Sequence, residues 1–275
     1  MTEPTGAAHE TARAGGEPAA RPEISIIIPC LNEAQNVPML VDKLSALLEA
    51  YALDGEILIV DDCSDDYTFR EAYVLSQRHR RVRALHKGLP RGIGRAIRYG
   101  IMHARGRLAV VVMGDLVDPL AAIPDFRTKI VDEGYQLVLL SRYLDPGDVA
   151  GIPAVYRFYH FAFRLLCRLL VGIRLTDITY AFRAFDLAWA KSVNLGSDGF
   201  EISPEITCKA WLSGARIFEL RGRQGRRFHG ESKFIFSREG WGYTSVLLRA
   251  IATRLTGHWP EIRRKQSRSL GVEDT

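Results

Sequence analysis

The sequence predicts an α/β fold built on an open, twisted and mostly parallel sheet that is flanked by helices. From residue 24 to residue 140, short apolar runs rich in β-branched residues alternate with amphipathic helical segments. This alternation is typical of right-handed βαβ units. The chain has 275 residues, 47% of them hydrophobic, which is enough to bury the core of one large domain.

The first elements show the strand and helix patterns most clearly. The run ISIIIP at 24–29 is apolar, β-branched and closed by proline, as in a strand buried on both faces. Residues 37–50 carry valines and leucines at helical spacing, and EILIV at 56–60 repeats the strand pattern. The alternation then continues through a helix at 68–78, a strand at 82–85, a helix at 92–104, a strand at 108–113, a helix at 124–133 and a strand at 136–140.

After Tyr143 the pattern changes to a long apolar and aromatic segment, 154–171, which Arg157, Arg164 and Arg168 interrupt. On a helix these arginines fall within about 40° of one another, which leaves most of the circumference apolar. Such a helix is too charged to span a bilayer, and we expect it to lie in the membrane interface with its arginines toward the headgroups. The alternative is a core helix whose arginines meet buried carboxylates.

The remaining chain predicts a strand at 181–185, a helix at 204–213, a strand at 216–220 and an amphipathic helix at 239–255. The first residues lack the apolar run of a signal peptide, and no apolar stretch reaches the length of a membrane span. We therefore expect a disordered tail over 1–21, a folded domain over 22–236 with an interface helix over 154–175, an amphipathic helix over 237–259 and a basic flexible tail over 260–275.

Charge and cysteine content narrow the possible partners. Between Arg221 and Arg268 lie ten arginines and two lysines against three glutamates, which suits an anionic partner or a solvated basic surface. No nucleic-acid recognition motif accompanies these charges, so we do not expect nucleic acid to be that partner. The four cysteines form no metal or disulfide pattern, and a reducing compartment is the simpler assumption.

Carboxylates follow two of the predicted strands. Asp61 and Asp62 come directly after 56–60, and Asp115 follows 108–113. Ligands of open α/β sheets bind beyond the carboxyl ends of the strands, where a carboxylate can accept from a ribose or hold a divalent cation against a diphosphate. Helix capping and turn formation are the alternative uses of these aspartates.

Basic side chains that suit phosphate lie farther along the chain. Arg226, Arg227 and Lys233 belong to a short glycine-containing loop, and Arg142 and Arg183 fall near strand ends. Arginine binds phosphate through two parallel hydrogen bonds, and lysine adds a point charge. A basic surface turn is the alternative.

Taken in order, a series of strings from residue 24 to residue 255 resembles the family 2 glycosyltransferases. The strings are IIIPCLNEAQNV, EILIVDDCSDDYT, GIGRAIRYGIMHARG, VVMGDLVDP, LLSRY, TDITYAFRAF and RRFHGESK. The last three are similar to the group of dolichol-phosphate mannosyltransferase and its bacterial polyprenyl-phosphate relatives. The resemblance implies a GT-A fold, a GDP- or UDP-linked sugar donor, a polyprenyl phosphate acceptor and a Mg²⁺ or Mn²⁺ ion.

The resemblance also implies roles for individual residues. Those expected to line the nucleotide pocket are Pro29, Asn32 and Glu33, with Asp61 and Asp62 on the base or ribose. Those expected to hold donor and acceptor phosphates are Arg142, Arg183, Arg227 and Lys233, with Arg157 at the acceptor phosphate.

The metal-binding motif departs from the family pattern. Where the family has Asp-Ala-Asp, this chain reads Met113-Gly114-Asp115. Asp115 matches the last aspartate of the motif, and we expect metal binding to be weaker, to recruit Asp118 or to rely on the diphosphate.

A lipid phosphate is already anionic near neutral pH, so we expect direct displacement with inversion at the anomeric carbon, at the cytoplasmic face of a membrane. The alternatives to this enzyme are a glycosyltransferase with a soluble or other non-polyprenyl acceptor and a nucleotide-sugar-binding homologue with impaired catalysis.

Overall fold

A seven-stranded sheet carries the fold in the computed structural model, which describes residues 21–225 and 236–259. Within these residues the order across the sheet is β3-β2-β1-β4-β6-β5-β7, and β6 alone runs antiparallel to its neighbours. The strands are β1 (Ile24–Cys30), β2 (Gly55–Asp61), β3 (Val82–His86), β4 (Leu108–Val111), β5 (Leu137–Ser141), β6 (Arg183–Asp186) and β7 (Ile217–Arg221). The predicted open and mostly parallel sheet is confirmed.

Helices cover both faces of this sheet, and the described α-helices bear out the predicted alternation. They are α1 (Val37–Ala50), α2 (Thr68–Arg78), α3 (Ile93–His103), α4 (Ile123–Arg127), α5 (Ala154–Leu166), α6 (Leu187–Ser192), α7 (Ile202–Leu212) and α8 (Phe236–Thr256). The sequence reading did not predict α6.

The core forms two layers because successive side chains of a strand point to opposite faces. In β1, Ile26 and Ile28 pack in the layer that contains the apolar faces of α1 and α2. Ile27 points the other way, toward Ile97 and Ile101 of α3. All residues of β1 and β2 are buried, which explains why their sequences are nearly continuous apolar runs.

A third and smaller cluster lies where α5, α7 and α8 meet. It contains Cys167, Val171, Cys208, Val246 and Ala250, all buried. The cluster anchors the last helix to the sheet domain, although much of α5 and α8 stays outside it.

Several predicted elements have different bounds or a different helix type in the structure. The strand expected over 108–113 ends at Val111, because the Met113 N–H is hydrogen-bonded to the Asp118 carboxylate, 2.7 Å away, instead of continuing the ladder. The helix expected over 124–133 changes to π-helix after Arg127. The helix expected over 154–171 changes to π-helix after Leu166. The second ends at Gly172, whose φ of 88° suits a residue without a Cβ.

The parallel strands bring separate parts of the sequence to one edge. Cys30 pairs with Asp61, and Asp61 pairs with His86, so β1, β2 and β3 end side by side. β4 lies beside β1 in the same direction and leads to Asp115 at that edge. We refer to this as the carboxyl edge of the sheet.

Gly100 lies where α3 approaches the sheet closely. A Cβ at this position would overlap the Cγ2 atom of Ile27, which is fully buried in β1. We expect Gly100→Ala to lower the unfolding free energy by about 1–2 kcal/mol, since overpacking outweighs the gain in helix propensity. Urea denaturation measures the change.

Ile27→Ala provides the matched background, because it removes the clashing methyl group. In that background we expect Gly100→Ala to be neutral or stabilising. An equal loss in both backgrounds would show that the α3–β1 contact is not the cause.

Candidate active site

Two aspartates at the end of β2 each have a basic partner from the end of β3. Asp61 lies 2.8 Å from His86 Nδ1, and Asp62 lies 2.7 Å from Lys87 Nζ. Asp62 also accepts from the Gly92 N–H at the start of α3, at 2.7 Å. Both carboxylates are buried, so the structure holds them in fixed positions at the carboxyl edge.

The loop after β1 is tied to the segment after β2 by several hydrogen bonds. The Asn32 N–H donates to Ser64 Oγ at 2.9 Å, and Asn32 Oδ1 accepts from the Asp65 N–H at 2.8 Å. The Glu33 N–H donates to Thr68 Oγ1 at 2.8 Å. Asn32 has a φ of 54°, a left-handed conformation that asparagine tolerates better than most residues. The predicted nucleotide residues Asn32 and Glu33 therefore lie next to Asp61, as expected for one pocket.

Pro29 belongs to the same edge but is not exposed on it. It is buried within β1 and pairs with Val60 of β2. Its predicted contact with the nucleotide remains a prediction.

The loop that carries Asp115 packs directly against the Glu33 loop. A Cβ on Gly114 would come within 3.2 Å of Cys30 Sγ and 3.3 Å of Glu33 Cγ, so a larger residue would push these loops apart. Leu116 follows with a φ of 63°, which shows that the loop turns sharply. Asp115 is buried between the two halves of the carboxyl edge.

Asp118 holds this loop in shape. Its Oδ2 accepts from the Met113 N–H and its Oδ1 accepts from the Tyr180 hydroxyl, each at 2.7 Å. Burial raises the pKa of the Asp118 carboxyl to about 7, although both hydrogen bonds favour its ionised form. Asp118 is thus a loop-organising residue, and its expected part in metal binding remains a prediction.

The side chains near Asp115 fit a divalent cation that is shared with a substrate. Carboxylate oxygen is a hard ligand suited to Mg²⁺ or Mn²⁺, whereas the thioether of Met113 is not. Among residues 21–225 and 236–259, no group of three His, Cys, Asp or Glu side chains is placed to hold a metal. Since Mg²⁺ is usually bound by one or two carboxylates with substrate phosphates, Asp115 could hold such an ion with a diphosphate.

Arg142 follows β5 and forms a buried ion pair with Asp177. Its Nε lies 2.8 Å from Asp177 Oδ2, its Nη1 donates to Gln224 at 3.1 Å, and its guanidinium stacks on the Tyr180 ring, 4.3 Å from the centroid. Burial alone would raise the pKa of Asp177, but the charge and the hydrogen bonds of Arg142 together outweigh burial and leave that pKa below its ordinary value. Arg142 thus lies at the predicted site, held by a carboxylate.

The segment that carries Asp177 is held in turn by Glu219 of β7. The Glu219 Oε1 atom accepts from the backbone N–H groups of Thr176 and Asp177, at 2.7 and 3.1 Å. Burial raises the pKa of the Glu219 carboxyl. The segment before β6 is therefore fixed from both β5 and β7.

Arg183 has a different role from the one expected. Only 1% of it is exposed, and its guanidinium donates to the Ser203 carbonyl at 2.7 Å, to Thr207 Oγ1 at 2.9 Å and to the Tyr180 carbonyl. Burial lowers its pKa to about 10. Because its donors are directed to the protein interior, we correct its assignment from phosphate binding to joining β6 with α7.

The helix α5 presents three different faces along its length. Tyr156, His160, Phe163 and Cys167 recur at intervals of three or four residues and are the less exposed positions, facing the protein. His160 Nδ1 lies 2.5 Å from the Tyr143 hydroxyl, next to Arg142, and burial lowers the pKa of His160 to about 4.

The arginine stripe of α5 lies between that face and an exposed apolar face. Arg164 stacks on the Tyr143 ring at 4.3 Å and donates to the Thr176 carbonyl at 2.5 Å. Arg157 is exposed on the same side, and its charge lowers the pKa of Tyr143, which burial raises. The predicted arginine stripe thus extends from the Arg142 region toward the surface.

The third face of α5 is apolar and open to solvent. Phe158 is 65% exposed, and Leu169, in the π-helical turn that continues α5 and is counted with this face, is 67% exposed. Further exposed apolar residues lie between them. On α8, Trp241, Leu248 and Leu255 recur every seven residues and are also exposed. Exposed apolar side chains that are grouped along one face of a helix are typical of an interaction surface. Within the described residues, no helix is both long and apolar enough to cross a bilayer.

Two predicted phosphate ligands, Arg227 and Lys233, lie outside the described residues. So do residues 1–20 of the tail expected over 1–21 and the tail expected over 260–275. The last described residue before Arg227, Gly225, contacts the predicted site. The Gly225 N–H donates to the Val117 carbonyl at 2.7 Å, in the loop that carries Asp115.

Sequence reasoning missed four residues that organise this edge: His86, Lys87, Asp177 and Tyr180. His86 and Lys87 directly follow the strand predicted over 82–85, so the rule that pointed to Asp61 would also have found them. Asp177 and Tyr180 lie within TDITYAFRAF, which was used only for the resemblance. Asp177 is the single carboxylate between Asp148 and Asp186, which was the available signal for it.

Comparison with known proteins identifies the family of this chain. The model of the family described as Glycosyl transferase family 2 matches residues 25–193. A dolichol-phosphate mannosyltransferase of Pyrococcus furiosus is 30% identical over 77% of this chain and 59% of its own length. An undecaprenyl-phosphate mannosyltransferase of Micrococcus luteus is 27% identical over 84% of this chain and 95% of its own length. The chain thus spans 59% of the length of the Pyrococcus furiosus relative, which is less than two thirds.

Solved structures share the fold at lower identity. Glucosyl-3-phosphoglycerate synthase of Mycobacterium tuberculosis, in complex with Mn²⁺, UDP and phosphoglyceric acid, is 19% identical with a TM-score of 0.60. The match covers 86% of this chain and 79% of that protein. The GT-A fold expected from the sequence is confirmed by these neighbours and by the sheet.

The buried Arg142–Asp177 pair generates a stability prediction. Asp177→Asn leaves the Arg142 guanidinium buried without a countercharge, and we expect a loss of about 3–5 kcal/mol of unfolding free energy. Glu133→Gln is the matched control, since its ion pair with Lys129 is partly exposed and contributes only about 0.3–0.5 kcal/mol. Urea denaturation compares the two, and similar small losses in both would contradict the assigned importance of the pair.

Proposed function

Because the chain belongs to glycosyl transferase family 2, we propose that this glycosyltransferase moves a sugar from a nucleoside diphosphate to a polyprenyl phosphate at a membrane surface. The observation that carries this proposal is the placement of α5. Its arginine stripe begins beside Arg142 at the carboxyl edge and borders a face of exposed phenylalanines and leucines. A lipid phosphate needs a basic site and an apolar surface next to each other.

The donor is proposed to bind at the edge formed by β1, β2 and β4. Asp61 and Asp62 are fixed by basic partners and face the loop of Asn32 and Glu33. Carboxylates in this position accept hydrogen bonds from the hydroxyl and N–H groups of a nucleoside. Asp115 follows β4, on the other side of β1 from β2, where the diphosphate would follow the nucleoside.

A divalent cation bound there by Asp115 and the diphosphate would neutralise the charge that develops on the departing nucleoside diphosphate. The protein contributes the position of Asp115, which Gly114 and Asp118 determine through their contacts. With methionine at position 113, the substrate diphosphate supplies a larger share of the ligands than in a site with two aspartates.

The acceptor phosphate needs no general base, because it is already anionic near neutral pH. The task of the chain is to hold two anions close together without repulsion. Arg142 is fixed by Asp177, so its charge is in place before the acceptor arrives. Arg157 lies nearby on α5 and would add a second positive charge. Attack by a phosphate oxygen on the face opposite the departing diphosphate gives inversion at the anomeric carbon.

The relatives support a lipid acceptor, since dolichol-phosphate and undecaprenyl-phosphate mannosyltransferases are named among them. A second candidate is a soluble phosphorylated acceptor, because the structural neighbours include an enzyme crystallised with phosphoglyceric acid. The exposed apolar faces of α5 and α8 favour the lipid. A location at the cytoplasmic face of the membrane is part of the same proposal.

Sugar transfer is the direct test of the donor and the metal. GDP- and UDP-sugars with a radiolabelled sugar would be incubated with a short polyprenyl phosphate, with and without Mn²⁺. We expect metal-dependent transfer, reduced at least about a hundredfold by Asp115→Asn, as when a charge-stabilising group is removed. Inverted configuration of the product is the accompanying expectation.

Binding measurements separate an impaired homologue from an unsuitable acceptor. Electron paramagnetic resonance of Mn²⁺ would show the ion bound with nucleoside diphosphate in the wild type and released in Asp115→Asn. Nucleotide and Mn²⁺ binding without transfer to any acceptor, phosphoglycerate included, would support the impaired alternative. Transfer to phosphoglycerate alone would support the soluble acceptor.

Membrane binding is tested by flotation with vesicles that contain anionic phospholipid. The double variant Phe158→Ser, Leu169→Ser removes two exposed apolar side chains from α5, and we expect at least about tenfold weaker partitioning. Its matched control is Leu89→Ser, Met102→Ser, which removes equally exposed side chains elsewhere. Equal effects of the two double variants would contradict a specific membrane face.

A further inference from the structure

Cys63 lies in a relay with His86 and Asp61, and the proposed sugar transfer does not use its thiol. The Cys63 sulfur lies 4.0 Å from His86 Nε2, and His86 Nδ1 lies 2.8 Å from Asp61 Oδ2. A carboxylate only accepts hydrogen bonds, so it holds the ring with its hydrogen on Nδ1 and leaves Nε2 as the acceptor that faces the thiol. Nucleophile, base and orienting carboxylate thus stand in the order used by cysteine and serine nucleophiles.

The Cys63 side chain is partly exposed on its loop, whereas the other three cysteines are buried. Cys63 follows β2 by two residues and has a φ of 59°, and it is partly exposed. Cys30, Cys167 and Cys208 are buried. The Arg91 Nε–H donates to the Cys63 carbonyl at 2.9 Å, which fixes the backbone of the turn. A soluble reagent therefore reaches Cys63 before the other thiols.

The charges around Cys63 make its reactivity depend on a base. Burial raises the pKa of the thiol, and the carboxylates of Asp61 and Asp62 add to that increase, while Lys87 and Arg91 oppose it. The thiol is therefore protonated near neutral pH, and reaction requires removal of its proton during attack. His86 Nε2 is in position to take it.

We propose that Cys63 is a modification site that undergoes exchange with small disulfides, with His86 as the base and Asp61 as the group that orients it. The Cys63 sulfur bonds to one sulfur of the disulfide, the disulfide bond breaks, and the second sulfur leaves with the bonding electrons. The Cys63 proton passes to His86 Nε2 and then to the departing thiolate. Cys63 is oxidised to a mixed disulfide, and half of the reagent is reduced to a thiol.

The adduct would lie beside Asp61 and Asp62, where the nucleoside is proposed to bind. Exchange would therefore block nucleotide binding, and oxidation of the cell's thiol pool would switch off the enzyme reversibly. This consequence rests on the proposed function, whereas the exchange reaction does not.

The experiment follows release of the coloured thiolate when the full chain reacts with dithiobis(nitrobenzoate). We expect one fast equivalent in the wild type, none in Cys63→Ser, and a rate at least about tenfold lower in His86→Asn, as for loss of a positioned base. His103→Asn is the matched control, because His103 bonds the Tyr99 carbonyl away from this loop. Its rate should equal that of the wild type.

Asp61→Asn gives a second test that does not alter the base itself, and circular dichroism checks that each variant folds. We expect Asp61→Asn to slow exchange, since the imidazole loses its orienting partner. A fast equivalent that persists in Cys63→Ser, or a rate unchanged in both His86→Asn and Asp61→Asn, would overturn the proposal. Exchange at Cys63 that GDP and UDP do not slow would support the modification site and count against the nucleoside position.

Discussion

The buried ion pair between Arg142 and Asp177 is the interaction on which the rest of the site depends. Two charges removed from water are costly unless each meets the other and their remaining hydrogen bonds are satisfied. Here Asp177 is supported by Glu219 through Thr176, and Arg142 stacks on Tyr180. The Tyr180 hydroxyl in turn holds Asp118, which fixes the Met113–Asp115 loop. A chain of contacts therefore connects the arginine that would meet phosphate with the carboxylate that would meet a metal.

The same principle holds at the other half of the carboxyl edge. Asp61 and Asp62 are paired with His86 and Lys87, and the loops after β1 and β2 are tied together by hydrogen bonds. These groups are oriented by the protein, so little reorganisation remains when a ligand arrives. The pairing of Asp61 with His86 also creates the relay to Cys63, because a base held by a carboxylate can serve a neighbouring thiol.

The helix α5 explains how a sheet domain without a spanning helix in its described residues could act on a lipid. Its protein face contacts Tyr143 through His160, its arginines border the site, and its apolar face is open. A helix has room for three such faces because neighbours on one face recur every three or four residues. Membrane contact and phosphate binding would thus be set by one rigid element.

The sequence by itself determined the alternation of strands and helices, the direction of most strands and the edge at which Asp61, Asp62 and Asp115 meet. These follow from local patterns, since apolar periodicity and the geometry of parallel strands require no knowledge of distant contacts. Tertiary structure alone decided which charges are paired. Arg183 and Arg142 look alike in sequence, yet one is directed into the core toward carbonyls and the other meets Asp177, 35 residues away in the chain. Such long-range pairing depends on how the elements pack, which residue spacing does not specify.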